Sequence, residues 1–142
     1  MTRDPVEILL VEDDPTQAKL AVGALRKHNI SNHIRVLEDG AAAVEFLFPE
    51  DTRHIGTPRM ILLDLGLPKI DGLEVLRRIK GDPRTRNIPV IIMTASRKIS
   101  DLQACLELGA NSVIIKPVDF EKFADAVRSL DLQRVLLSHL PN

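Results

Sequence analysis

The segment Ile8-Leu9-Leu10-Val11-Glu12-Asp13-Asp14-Pro15 indicates how this chain is built. Four consecutive apolar residues are too few for a helix and are typical of a strand buried on both faces of a parallel sheet. Three acidic residues follow, and Pro15 suits the first position of a helix. A buried strand that leads through a polar turn into a helix predicts a βα unit, with ligands bound at the carboxyl end of the strand.

The same unit recurs along the rest of the chain. Five short runs of leucine and β-branched residues are predicted strands: 8–11, 34–37, 60–63, 90–93 and 113–115. Five segments of helical periodicity alternate with them: 15–28, 40–48, 72–81, 98–108 and 120–139. All runs but 34–37 are continuously apolar, so we expect those four to be buried on both faces. The alternation predicts an α/β fold, a doubly wound five-stranded parallel sheet flanked by five helices in flavodoxin-like topology.

Length and composition match one globular unit. The chain has 142 residues, of which 44% are hydrophobic and 27% charged, values that are ordinary for a folded domain. We expect a single domain across residues 1–142, with a core at about 7–130 and an extension of the last helix at 131–142.

Charge and composition argue against several partners. Nineteen basic residues oppose 20 acidic ones, which leaves no positive field to hold a nucleic acid. No apolar run approaches the 18 or more residues of a membrane span, and a proline and charges precede the first one, so we expect no membrane partner and no signal peptide. The lone Cys105 favours a reducing cytoplasm, and its helical neighbours predict a small core residue.

Four residues are placed to start or end helices. Asp14, Asp71 and Ser100 are each followed three residues later by Gln or Glu, as in capping arrangements. Gly109 is placed to end the fourth helix.

Carboxylates follow two of the predicted strands. Glu12, Asp13 and Asp14 come after the first, and Asp64 comes after the third. Two carboxylates about 4 Å apart repel by roughly 4 kcal/mol at an effective dielectric near 20, so the group needs a shared proton or a cation. Oxygen ligands are those that Mg²⁺ and Mn²⁺ prefer. A helix cap explains Asp14, which leaves Glu12 and Asp13 as the candidate site acids.

A hydroxyl and an ammonium group follow the last two strands. The fourth run ends in Thr94-Ala95-Ser96, and the fifth ends in Lys116-Pro117, a candidate cis peptide. Together with the carboxylates they suit a phosphoryl group. Asp64 would be the nucleophile, while Thr94 and Lys116 would donate to the phosphoryl oxygens.

The ordered set of these motifs resembles the receiver domain of two-component response regulators. The motifs are Glu12-Asp13, Leu62-Leu63-Asp64-Leu65-Gly66-Leu67-Pro68, Asp71-Gly72, Thr94-Ala95 and Lys116-Pro117. The spacings of 30 residues from Asp64 to Thr94 and 52 residues to Lys116 also agree with that family. The resemblance covers about residues 7–130.

The resemblance implies a phosphorylation switch that catalyses its own phosphotransfer and dephosphorylation. Asp64 would accept a phosphoryl group from a phosphohistidine of a sensor histidine kinase. Mg²⁺ or Mn²⁺ would be held by Asp13, Asp64 and the backbone carbonyl of Gly66, and Glu12 would act through a water on the ion.

The resemblance also implies which groups receive the phosphoryl oxygens. Thr94 would move toward them, Lys116 would pair with them, and the backbone amide of Ala95 would donate to them. Many receivers carry Tyr or Phe three residues before the lysine, whereas this chain has Val113. The usual coupling of Thr94 to an aromatic rotamer therefore cannot operate unchanged.

Three segments indicate a subgroup. The polar loop at 49–58 and the stretches 79–83 and 87–90 are similar to the single-domain response regulators that serve phytochrome kinases. The resemblance therefore makes a phytochrome a candidate partner.

The output is expected to be a protein contact. Twelve residues after Leu130 are too few for a DNA-binding effector domain, and apolar residues continue along the last helix beyond what one core needs. We expect a homodimer through the fourth helix, fifth strand and fifth helix. The interface candidates are Phe120, Val127, Leu132, Val135, Leu136 and Leu140.

Other functions fit less well, and one stays open. A phosphatase of the haloacid-dehalogenase type needs a second Asp where Gly66 stands. A flavodoxin-like binding protein needs a phosphate loop where three acids stand. A pseudo-receiver, which docks partners without phosphorylation, remains an alternative because of Val113.

Overall fold

The computed structural model describes residues 6–30, 33–50 and 57–138, and the side chains of these residues up to Leu130. Residues 51–56 of the predicted polar loop lie outside these ranges. The strands are β1 (Ile8–Val11), β2 (Ile34–Leu37), β3 (Met60–Asp64), β4 (Val90–Thr94) and β5 (Ser112–Ile115). The helices are α1 (Pro15–Lys27), α2 (Gly40–Leu47), α3 (Gly72–Gly81), α4 (Ile99–Glu107) and α5 (Phe120–Ser138). The ends of the predicted elements differ from these by one residue at most.

The five strands form one parallel sheet in the order β2-β1-β3-β4-β5. The chain moves from β1 outward to β2 and then returns past β1 to β3. Such a reversal opens a crevice at the carboxyl ends of β1 and β3, where ligands bind in open α/β sheets. Val11 pairs with Leu63 across that crevice, so the residues that follow these two strands emerge side by side.

Alternate residues of each central strand face two separate cores. Leu9 and Val11 pack with α2, α3 and α4 on one face of the sheet. Ile8 and Leu10 pack with α1 and α5 on the other. Every residue of β1, β3 and β4 is buried, which confirms the prediction for those three runs.

The prediction for the fifth run is wrong. β5 forms an edge of the sheet, and Ile115 is 37% exposed. Its continuous apolar sequence therefore leaves hydrophobic surface uncovered within this domain.

The predicted helix ends are confirmed in three of four cases. The side chains of Asp14 and Asp71 accept hydrogen bonds from backbone amides at the N-termini of α1 and α3. Gly109, with φ +105°, follows the end of α4 in the left-handed conformation that glycine tolerates. The expected cap at Ser100 is wrong, because α4 begins after Lys98 and has no side-chain cap.

Gly72 lets α3 begin directly against the end of β3. A Cβ atom at this position would lie 2.2 Å from the backbone oxygen of Asp64 and 2.5 Å from Leu65 Cα. Only a glycine permits this approach, because such distances are far shorter than any normal carbon contact. The close packing fixes the backbone around Asp64.

Cys105 is fully buried on α4, which confirms it as a core residue. Burial raises the pKa of its thiol, and the charge of Asp101 adds to that shift.

Among the helices that the structure describes, none combines the length and apolarity needed to cross a membrane.

The first half of α5 packs into the second core. This packing rules out one of the predicted dimer-interface residues. Val127 is completely buried inside its own domain, so it cannot form a dimer contact. Phe120 is half-buried and packs edge-on against Phe123, with 5.8 Å between ring centroids. The side chains of Leu132, Val135 and Leu136, and the whole of Leu140, lie outside the described part of the chain.

Candidate functional site

An acidic cluster occupies the crevice between β1 and β3. Glu12, Asp13 and Asp64 each present a carboxylate oxygen, and these oxygens all lie within 4.8 Å of one another. Glu12 and Asp64 are buried, whereas Asp13 is exposed. The parallel register of β1 and β3 therefore brings together three acids that are up to 52 residues apart in the sequence.

Lys116 bridges the two buried acids. Its Nζ atom lies 2.9 Å from Glu12 Oε1 and 3.0 Å from Asp64 Oδ2. The lysine follows β5, which is two strands away from β3, so its long side chain spans the end of β4. The Lys116–Pro117 peptide is cis, as predicted.

The cluster shifts the pKa values of two of its members. Burial raises the pKa of Glu12 to about 7, and the nearby Asp64 carboxylate adds to the shift, while the hydrogen bond from Lys116 opposes it. Burial lowers the pKa of Lys116, but its hydrogen bonds to Glu12 and Asp64 outweigh this and leave it above the ordinary value. Lys116 therefore stays charged at neutral pH.

The two carboxylate oxygens of Asp64 are held by different donors. Oδ1 accepts a hydrogen bond of 3.0 Å from the backbone amide of Gly66, and Oδ2 accepts the bond from Lys116. The carboxylate is thereby fixed in orientation at the base of an open cleft.

That cleft has a volume of about 460 Å³. Besides Asp64 it is lined by Gly66, Asp71, Thr94, Ala95, Ser96, Asp101 and Lys116. Glu12 and Asp13 border a neighbouring cavity between α1 and β2 instead. The structure thus places Thr94, Ala95 and Lys116 in the cleft with Asp64, while Lys116 also contacts Glu12 beside it.

Sequence reasoning missed Asp101. Its carboxylate accepts a hydrogen bond of 2.6 Å from the hydroxyl of Ser96 at the rim of the cleft. The two residues are five positions apart across a loop and a helix start, a spacing that carries no recognisable pattern.

The donor set fits a hard divalent cation. Three carboxylate oxygens that converge from two strand ends, without sulfur or imidazole ligands, are the kind of site that Mg²⁺ and Mn²⁺ occupy. One of the three acids is exposed, so an ion could enter from solvent. The single positive charge of Lys116 balances only part of the negative charge of the cluster.

The matching family model identifies the chain. Residues 8–128 match the model of the response regulator receiver domain. This chain belongs to that family. The match spans all five strands and the first half of α5, and it places the acidic crevice and the cleft within the receiver domain.

Relatives of similar length support the assignment. The probable methanogenesis regulatory protein FilR2 of Methanothrix harundinacea is 41% identical over 89% of this chain and 82% of its own length. Response regulator Rcp1 of Synechocystis is 37% identical over 94% of this chain and 93% of its own.

Solved structures of two relatives share the fold. The Mn²⁺-bound form of Rcp1 superposes with a TM-score of 0.77 over 89% of this chain and 92% of its own, at 36% identity. The phosphorylated cyanobacterial phytochrome response regulator RcpA superposes with a TM-score of 0.78 over 98% of this chain and 100% of its own, at 31% identity.

Proposed function

We propose that this receiver domain is switched by phosphorylation of Asp64, with a phosphohistidine of a sensor histidine kinase as the donor. The observation that carries the proposal is the orientation of the Asp64 carboxylate. Asp64 is 6% exposed as a residue, both of its carboxylate oxygens accept hydrogen bonds, and it lines a cleft together with Thr94 and Lys116.

The transfer is a displacement at phosphorus. An oxygen of Asp64 forms a bond to the phosphorus atom as the P–N bond of the phosphohistidine breaks, and the imidazole leaves with the electron pair and takes up a proton. Lys116, the Thr94 hydroxyl and the Ala95 amide donate to the phosphoryl oxygens, where charge develops. In the second half of the cycle a water attacks phosphorus and loses a proton to solvent, the P–O bond to Asp64 breaks, and Asp64 leaves as a carboxylate while inorganic phosphate is released.

Asp13, Asp64 and the Gly66 carbonyl would hold Mg²⁺ or Mn²⁺, and Glu12 would act through a water bound to the ion. When bound, the cation supplies positive charge that neutralises the carboxylates and the phosphoryl oxygens. The convergent oxygens of the cluster support this assignment, as does the relative Rcp1, which was crystallised with Mn²⁺.

A phytochrome-type kinase is the partner that the relatives favour, because RcpA is a phytochrome response regulator.

The output surface would be the face formed by α4, β5 and α5. Ile99 is 75% exposed on this face, and Leu106 and Ile115 are also exposed. Such apolar exposure is typical of an interface, and we propose that a second copy covers it. Sedimentation should show a dimer at micromolar concentration that Leu106→Asp weakens, whereas a monomer with and without a phosphate mimic would refute this.

Intact mass spectrometry tests the phosphorylation directly. Incubation with acetyl phosphate and Mg²⁺ should add one phosphoryl group to the wild type and none to Asp64→Asn. Asp125→Asn, which changes an exposed acid on α5, is the matched control and should be modified like the wild type. An unmodified wild type would refute the proposal.

A docking module that works without phosphorylation is the second candidate. Val113 favours it, since it replaces the aromatic residue expected in a receiver switch. In that case a partner captured by the wild type would bind Asp64→Asn with the same affinity, with or without acetyl phosphate.

A further inference from the structure

Two consecutive hydrogen bonds connect the hydroxyl of Thr94 with helix α4. The backbone amide of Ser96 donates to Thr94 Oγ1 at 2.9 Å. The hydroxyl of Ser96 donates to Asp101 Oδ2 at 2.6 Å. Since Asp101 lies in the first turn of α4, Ser96 joins the end of β4 to the start of this helix.

Helix α4 has few other anchors. Its N-cap residue Lys98 makes no side-chain cap hydrogen bond. Of its nine residues, all of which the structure describes, only Cys105 is buried, whereas α1 and α3 each bury four. The hydroxyl of Ser96 also accepts a bond of 3.3 Å from the Lys98 amide. The Ser96 hydroxyl thus adds hydrogen bonds at two positions around the start of α4, and weakly packed segments of this kind open at low cost in free energy.

Val113 cannot connect Thr94 to the surface in the way an aromatic residue would. Its side chain is half-buried and packs against the first core. A β-branched side chain is restricted in χ1 and, unlike an aromatic ring, is too short to reach from the core to the surface. The movement of Thr94 must therefore be transmitted by another contact.

We propose that Ser96 and Asp101 are positioning residues that link Thr94 to α4, an inference that rests on the proposed phosphorylation of Asp64. The Thr94 hydroxyl can donate to a phosphoryl oxygen only from within about 3 Å. Moving Oγ1 toward Asp64 gives up the bond from the Ser96 amide. Ser96 then shifts, its bond to Asp101 breaks, and the first turn of α4 is released together with the exposed Ile99.

Cys105 provides a reporter for this release. It is the single cysteine of the chain and is fully buried on α4, one turn beyond Asp101. A thiol reagent can reach it only when the helix opens, so the alkylation rate measures opening of α4.

The experiment alkylates the full chain with iodoacetamide during incubation with acetyl phosphate and Mg²⁺. A parallel sample without acetyl phosphate gives the alkylation rate of the unphosphorylated form, and intact mass spectrometry reports the phosphorylated fraction of each sample. The variants Ser96→Ala and Asp101→Ala remove the link. Ser96→Thr keeps a hydroxyl, and Ser100→Ala removes an exposed hydroxyl from the same helical turn as a matched control.

Phosphorylated wild-type molecules should alkylate about fivefold faster than unphosphorylated ones, the factor that corresponds to one lost hydrogen bond of about 1 kcal/mol. In Ser96→Ala and Asp101→Ala both forms should react fast, so that the ratio falls to near one. Ser96→Thr and Ser100→Ala should keep the wild-type ratio.

Three results would overturn the inference, and they are distinguishable. A wild-type ratio of one, or an unchanged ratio in Ser96→Ala and Asp101→Ala, would refute the link while phosphorylation itself stands. Absence of any phosphorylated wild type would refute the proposed function, and the link with it.

Discussion

Lys116 Nζ lies 3.0 Å from Asp64 Oδ2, although 52 residues separate the two in the sequence. The same ammonium group contacts Glu12 at 2.9 Å, so one cation is shared by two buried carboxylates. Removing it would leave both acids buried without their partner, which is costly because neither can be fully hydrated.

Lys116→Met should therefore lower the free energy of unfolding by about 1–3 kcal/mol in the absence of divalent cations. Millimolar Mg²⁺ should recover part of this loss, because a cation in the acidic cluster would replace the missing charge. Urea denaturation with and without Mg²⁺ measures both effects. A variant as stable as the wild type in EDTA would contradict the role of the lysine.

Two glycines offer a matched pair of substitutions. Gly72→Ala should destabilise the fold strongly, because its Cβ would overlap the backbone of Asp64 and Leu65. Gly23→Ala should stabilise it by about 0.5–1 kcal/mol, because Gly23 lies inside α1 with nothing within 4 Å of the added atom. Thermal denaturation of both variants checks the pair, and equal melting temperatures would show that the close approach at Gly72 is unimportant.

We expect Gly66 to leave room for the water that hydrolyses the phosphorylated site. An added Cβ would meet only Asp64 Oδ1, at 3.8 Å, so a large side chain fits at the rim of the cleft. Gly66→Arg should slow hydrolysis of the aspartyl phosphate by crowding the attacking water. The decay of the phosphorylated mass after removal of acetyl phosphate gives the rate, and an unchanged or faster decay would argue against this role.

Cys105 should react slowly with alkylating reagents in the unphosphorylated domain. The thiolate is the reactive form, and burial raises the thiol pKa above its ordinary value. The rate at pH 8 should thus be well below that of a free thiol, and it should keep rising as the pH passes 9. Denaturant should abolish the protection. A rate equal to that of glutathione at pH 8 would mean that α4 leaves this side chain exposed.

Local sequence patterns predicted the elements of the fold closely. Continuous apolar runs identified β1, β3 and β4, and caps at Asp14 and Asp71 identified helix starts, because both signals depend on residues adjacent in sequence. The predicted helix cap at Ser100 is wrong, because α4 begins after Lys98 and has no side-chain cap. The apolar pattern located β5 to within one residue but wrongly predicted burial on both faces, because β5 is an edge strand.

The candidate site was predictable only in part. Glu12, Asp13, Asp64, Thr94 and Lys116 could be named because each directly follows a predicted strand, and parallel strands end at one edge. The contact between Ser96 and Asp101 could not, since it depends on where α4 starts and how it lies beside the cleft.

The amino-acid sequence alone determined the alternating strands and helices, because these follow from local periodicity. It also determined which acids, hydroxyl and lysine follow the strands, because chain direction places them at the carboxyl ends. Only the packed sheet decided which of them touch. The strand order places β1 beside β3 and Lys116 within reach of both acids. It also leaves β5 at an edge and buries Val127, since burial depends on which surfaces neighbouring elements cover.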